Sequence, residues 1–184
     1  MSRVYLIRHA KPSATWGGDD DDPGLDDIGQ AQAGAAAKAL LALPPARRPV
    51  RVVSSPLRRC RETAAPFAAA IGAEVEIDAS VGEIPTPAAL SPAERGPWLR
   101  KAFTGRWSEI EGDLDYEAWR GRVLAAVASR PDAAVFSHFI AGGDVTAGGV
   151  LHAVTSVAQT LPDADEAYDL EALGLRAMEL AAAA

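Results

Sequence analysis

Three short runs, RVYLI (3–7), VRVVS (50–54) and AAVFS (133–137), are apolar or β-branched and bounded by polar residues. Their alternation is too weak for strands with one wet face, so they read as strands buried on both sides. A fourth run, EVEIDASV (74–81), reads as a further strand. Between the runs lie alanine- and leucine-rich stretches at helical spacing: Ile28 to Leu43, Leu57 to Ile71 and Tyr116 to Ser129. Strand and helix therefore alternate, which predicts an α/β fold with a mainly parallel sheet covered by helices on both faces.

Two helix starts are argued locally. In SSPLRR, Ser55 is placed to cap a helix with Pro56 at its first position, so Arg58 and Arg59 fall in the first turn beside unpaired backbone N–H groups, a natural anion site. In LDDIGQAQ, Asp26 or Asp27 caps the preceding helix. Residues 13–24 and the proline-rich 82–97 read as irregular segments long enough to be functional loops. Toward the end, 150–157 reads as a strand, and 173–180 as either a strand or a helix. A single domain over 1–184 is expected from this length.

Composition narrows the chemistry. The net formal charge is −7, so nothing global invites nucleic acid or an anionic membrane, and any anion site has to be built locally. One cysteine, Cys60, cannot make an internal disulfide. No run reaches the roughly 18 apolar residues of a membrane span, and no cleavable leader pattern opens the chain. A cytoplasmic location is expected.

Candidate chemistry gathers where strands end: Arg8-His9 after the first, Arg58-Arg59 after the second, Glu83 after 74–81, and Ser137-His138 after the last. In a parallel sheet those ends share one edge. Two histidines, two arginines and a carboxylate suit phosphoryl transfer through a phosphohistidine, with arginine forks holding the phosphoryl oxygens where other enzymes use Mg²⁺. A carboxylic acid serves the leaving oxygen. A metal site from His9, His138 and carboxylates has no HxxxH or HxH pair behind it, so neither metal nor other cofactor is expected.

The motifs together resemble the histidine phosphatase superfamily, in its phosphoglycerate mutase-like RHG/RHA branch. LIRHAKP (6–12) is similar to the RHG or RHA signature and DPGLDDIGQAQA (22–33) to D-x-x-L-[ST]-x-x-G-x-x-Q-A. SSPLRRCRETA (54–64) is similar to S-S-x-L-x-R-A-x-x-T-A, VGEIPTP to the acidic segment, and FSHF to S-H-G. The resemblance implies a three-layer α/β/α sandwich with a small cap around 84–120. It implies His9 as nucleophile, Arg8 and Arg59 as phosphate ligands, Glu83 as proton donor, and His138 as a hydrogen-bond donor to the phosphoryl oxygens. Arg58 falls at the motif's variable position. The implied function is a metal-independent phosphatase acting on a phosphorylated small molecule or phosphoprotein. The alternatives are a phosphomutase and a non-catalytic phosphate-binding module.

The chain departs from the pattern in places. Ala10 stands where the commoner signature has glycine, Phe139 replaces the glycine after His138, and Ser13 or Thr15 stands in for the mutases' asparagine. The stretch 140–150 is glycine-rich where the family has a helix, and glycine's cost of about 1 kcal/mol per helical position argues against a full helix there. Cys60, at a small-residue position, is expected to pack. The acidic run 19–22 reads as a solvated loop and His152 as non-catalytic. Trp98, Trp107 and Trp119 suit a substrate lid or the filling of a cap, and Arg95, Arg100 and Lys101 suit further phosphate contacts or solvated faces.

Overall fold

Successive side chains of the first strand, β1 (Val4–Arg8), leave on opposite faces, Val4 and Leu6 on one and Tyr5 and Ile7 on the other. All four are buried, so both faces of this strand are covered. The computed structural model describes residues 4–14, 20–104, 107–138 and 152–154. Its further elements are α1 (Asp27–Ala42), β2 (Arg51–Ser54), α2 (Arg58–Ile71), β3 (Val75–Ile77), α3 (Pro92–Thr104), α4 (Tyr116–Ala128), β4 (Ala133–Ser137) and β5 (His152–Val154).

The strands form one sheet in the order β3-β2-β4-β1-β5, every pairing parallel. On one face, Leu40 of α1, Leu43 just past its end and Phe67 of α2 pack on Tyr5, Ile7 and Phe136. On the other, Val123 and Val127 of α4, with Val81, pack on Leu6, Val53 and Val135. The expected α/β/α sandwich with a parallel central sheet is therefore what forms. His152 lies in edge strand β5, opposite Tyr5. Phe139, Thr15, the glycine-rich 140–150 and the run 173–180 lie outside the described residues.

Three local expectations are corrected. The strand read over 74–81 stops at Ile77, because the Asp78 carboxylate takes the Ser80 N–H at 2.8 Å and starts a 3₁₀ turn over Ala79–Val81. The supposed loop 82–97 contains the start of α3 at Pro92. There Glu94 accepts from the backbone N–H of Ser91 at 2.9 Å and from its hydroxyl at 2.6 Å, a capping pattern that SPAE spells in the sequence. The helix expected from Ser55 and Pro56 begins instead at Arg58, after Leu57, with no cap from its own flank. The Ser55 N–H remains in the sheet, bonded to the Phe136 carbonyl at 2.9 Å, and the Arg58 N–H is taken by Asp22 from the acidic loop at 2.7 Å.

Asp26 caps α1 as expected, accepting from Gly29 N at 2.7 Å. Gly29 also answers to a close approach: a Cβ there would lie 2.1 Å from the Lys11 carbonyl oxygen, whereas one at Gly34 in the same helix would meet nothing within 4 Å. Two alanine substitutions should therefore diverge. Gly34→Ala is expected to stabilise by up to about 1 kcal/mol through helix propensity. Gly29→Ala is expected to destabilise by roughly 1–3 kcal/mol because backbone must move. Urea denaturation of both variants reads the difference directly, and stabilisation by Gly29→Ala would contradict the close packing of α1 on the 9–12 loop.

Candidate active site

The register of the sheet brings the chemistry together. Arg8 of β1 lies opposite Ser137 of β4, and Ser54 of β2 lies opposite Phe136. The residues just past those ends are His9, Ser55 and His138. The ladder runs one step further, with His9 N donating to the Ser137 carbonyl at 2.9 Å. The ring centroids of His9 and His138 are consequently 5.2 Å apart.

The loop carrying His9 is tied to α1 and α2 by residues with no chemistry of their own. Ala10 N donates to Thr63 Oγ1 at 2.9 Å, and Lys11 N donates to the buried Gln32 at 2.9 Å. Thr63 in turn donates to the Arg59 carbonyl at 2.6 Å, so the loop and the arginine-bearing first turn of α2 are held to one another. Ala10 is buried at this contact.

Arg59 is 5% exposed and its Nη2 lies 3.7 Å from Glu83 Oε2. Glu83 follows the 3₁₀ turn, and its Oε2 also lies 3.2 Å from His138 Nδ1. The other nitrogen of His138, Nε2, is 2.8 Å from the Ser55 hydroxyl. Cys60 completes the floor, with Sγ 3.4 Å from His138 Nε2 and 3.5 Å from the Ser137 carbonyl. Burial pushes the Cys60 thiol far above its usual range, with Arg59 only partly opposing, so it packs as a thiol.

His9, Ser55, Arg59 and Glu83 line a cleft of about 410 Å³, together with Asp20, Asp21 and Arg95. Arg95 Nη1 approaches Asp21 at 3.7 Å, so the cap and the acidic loop meet beside the cleft. Arg58 points elsewhere, pairing with Glu62 at 2.6 Å, which leaves Arg59 as the arginine of α2 that faces Glu83. Lys101 pairs with Glu111 at 3.1 Å, away from the cleft. The tryptophans fill the cap: Trp98, Trp107 and Trp119 pack against buried Ile84 and Tyr116, and Trp107 and Trp119 stack with centroids 5.8 Å apart.

Burial first, and then His138, Arg59 and Arg8, depress the His9 pKa to about 3, with the Ala10 carbonyl opposing. His9 is therefore neutral at neutral pH. Its Nδ1 is 2.8 Å from the Ala10 carbonyl, which as an acceptor places the hydrogen on Nδ1 and the lone pair on Nε2. Burial pushes the Glu83 pKa up, but His138, the Ile84 N–H and Arg59 outweigh it, and the net shift is downward. For Arg8, burial lowers the pKa, Glu83 opposes and Arg59 adds to the lowering.

His9, Glu83 and His138 each offer a donor atom, all within 4.8 Å of one another, although no sequence spacing announced a ligand set. Arg59 lies directly against Glu83, and Arg8 acts electrostatically on the same carboxylate. Two guanidinium charges at such a cluster favour an anion over a divalent cation. Ser55 is the site residue that sequence reasoning assigned elsewhere. Its signal was its place at the end of β2, level with His9 and His138.

Parallel strands that end in histidine, serine and histidine, with arginine and carboxylate from the flanking segments, define an α/β protein with a cleft of cationic and titratable side chains at its strand ends. Residues 4–167 match the profile of the histidine phosphatase superfamily (branch 1), and the chain belongs to that family. Among solved structures, it is similar to mycobacterial glucosyl-3-phosphoglycerate phosphatase in complex with VO3, at 27% identity and a TM-score of 0.59, covering 81% of this chain and 82% of that one. Phosphoserine phosphatase from Entamoeba histolytica in complex with 3-phosphoglyceric acid shares the fold at 21% identity and a TM-score of 0.58, covering 75% and 74%. No curated protein matches the chain. No helix among the described residues is long and apolar enough to cross a membrane.

The depressed His9 pKa predicts acid sensitivity. In the unfolded chain a histidine takes up its proton near 6.5, whereas folded His9 does so at about 3, so its contribution is complete above pH 6.5 and is lost as pH falls toward 3. Glu83, with a lowered folded pKa, acts in the same direction. Urea denaturation across this range should show stability falling with pH, and His9→Gln should remove up to roughly 1.4 kcal/mol of that fall per pH unit. An unchanged slope in the variant would contradict a neutral, buried His9.

Proposed function

We propose that this chain is a phosphatase that hydrolyses phosphate monoesters through a phosphohistidine on His9, without a metal ion. The observation that carries this reading is the neutral His9 beside Arg59, Glu83 and His138 at one sheet edge. Kinship with glucosyl-3-phosphoglycerate phosphatase supports a phosphorylated small molecule over a mutase reaction. The 410 Å³ cleft supports it too, because that volume suits a small leaving group.

In the first step the Nε2 lone pair of His9 attacks phosphorus and the bond to the ester oxygen breaks. Arg59 and Arg8 offset charge on the equatorial oxygens, the part a metal ion plays elsewhere. Glu83 gives its proton to the departing oxygen, which leaves as an alcohol. Glu83 is ionised in the free cleft, and a phosphate dianion arriving beside it raises its proton affinity, so proton uptake accompanies binding. In the second step the Glu83 carboxylate takes a proton from water, the water oxygen attacks phosphorus and the P–N bond breaks. Inorganic phosphate departs, His9 is again neutral, and Glu83 releases the proton taken up on binding and returns to the carboxylate.

A non-catalytic phosphate-binding module would need the arginines alone. A carboxylate held by both Arg59 and His138 and facing the nucleophile favours turnover.

His9→Ala is expected to lower the hydrolysis of p-nitrophenyl phosphate by at least about a thousandfold, since no other group replaces the nucleophile. EDTA should leave the wild-type rate unchanged; EDTA-sensitive turnover, or activity surviving in His9→Ala, would overturn the mechanism. Glu83→Gln is expected to slow an alkyl ester such as glycerol 2-phosphate by about 10²–10⁴-fold. Its effect on p-nitrophenyl phosphate should be much smaller, because that leaving group departs without a proton. Equal losses on both esters in a steady-state comparison would remove Glu83 as the proton donor.

A further inference from the structure

We propose that Ser55 is a positioning residue for the proton donor: its buried hydroxyl donates to Nε2 of His138, fixing the tautomer in which Nδ1–H is directed onto Glu83. The kinetic consequence rests on the phosphatase reading above; the tautomer rests on the geometry alone.

His138 is 1% exposed and both of its ring nitrogens are engaged, Nε2 by Ser55 Oγ at 2.8 Å and Nδ1 by Glu83 Oε2 at 3.2 Å. An ionised carboxylate only accepts, so the nitrogen facing it carries the hydrogen. With one hydrogen on the ring, carried by Nδ1, the other nitrogen accepts, and Ser55 is arranged to supply it. The Ser55 oxygen receives a long contact from Leu57 N, at 3.4 Å, and shares a hydrogen bond with Cys60, whose thiol is a donor, while the neighbouring Ser54 hydroxyl is directed onto the Ser55 carbonyl at 2.8 Å. The hydrogen of Ser55 is thereby left for Nε2.

The other groups facing this pair do not replace that role. Cys60 of α2 is held as a thiol and lies 3.4 Å from Nε2 as well as 3.5 Å from the Ser137 carbonyl, so its weak S–H is the lesser donor beside the Ser55 hydroxyl at 2.8 Å. Arg59 Nη2, also from α2, is 3.5 Å from Nδ1, and as a donor it would favour the opposite tautomer, but Glu83 is closer. Arg8, at the end of β1, acts on Glu83 through its charge, and His9 stands beside the His138 ring.

The consequence is a sign. Burial raises the Glu83 pKa, and the electrostatic attraction of His138 together with its hydrogen bond to the carboxylate turns the net shift downward. Releasing the ring should therefore raise the proton affinity of Glu83 and carry the basic limb of kcat/KM, where the acid form is lost, to higher pH.

The first arm of the test is ¹⁵N NMR of the imidazole nitrogens in the wild-type protein at pH 7. The Nδ1–H tautomer is expected for His138; an Nε2–H tautomer or a doubly protonated ring overturns the proposal. The second arm is the pH profile of kcat/KM for glycerol 2-phosphate. Ser55→Ala should shift the basic limb upward by about one unit, the scale of one charge-assisted hydrogen bond. Ser55→Thr, which keeps the hydroxyl, should restore the limb, and p-nitrophenyl phosphate should show little shift. A uniform loss on both esters with an unmoved limb overturns the positioning role. If the wild-type protein hydrolyses neither ester, the phosphatase reading fails, while the NMR arm still decides the tautomer.

Discussion

The parallel pairing of β1 with β4 is the constraint on which the rest of the structure depends. Arg8 lies opposite Ser137, and the same ladder binds His9 N to the Ser137 carbonyl. Register in a sheet covered on both faces has no slack, since a slip of one residue would send Leu6 and Ile7 to the wrong layers. Hydrophobic packing on the two faces therefore decides where the polar ends come to rest. The constellation at the strand ends is a consequence of core alternation several residues away from it.

Those ends can hold buried charge because each group is offset by another. Arg59 and His138 both lie against Glu83, and Arg8 acts on it through space. Breaking such a set by removing one member leaves the others buried without compensation, which is costly. The same burial leaves His9 neutral, so the desolvation that makes the charged groups expensive also leaves a free lone pair on this ring. Motif residues outside the chemistry, Gly29, Gln32 and Thr63, hold the His9 loop where this balance exists.

Much of this was legible along the chain. The apolar runs marked β1, β2 and β4 to within a residue or so, because strands buried on both faces leave uninterrupted hydrophobic signatures. Motif resemblance carried His9, Arg59, Glu83 and His138, and the structure brings all four to one edge. Ser55 was read as a helix cap because a serine before proline has that local meaning, yet its partner His138 lies 83 positions away. The acidic run reads as a solvated loop, and Asp21 is exposed as expected, but Asp22 also supplies the carboxylate at the start of α2. In both cases a local rule named the right residue type and a distant partner took the contact.

The amino-acid sequence by itself determined the alternation of strand and helix, the parallel sheet and the residue types at the strand ends, because periodicity and motif spacing are local properties. Only the tertiary structure decided which ring nitrogen of His138 faces Glu83, that His9 is buried enough to stay neutral, and that Arg59 faces the carboxylate while Arg58 pairs with Glu62. The physical reason is that hydrogen-bond direction and desolvation depend on what surrounds a group in space, and most of those neighbours are far away along the chain.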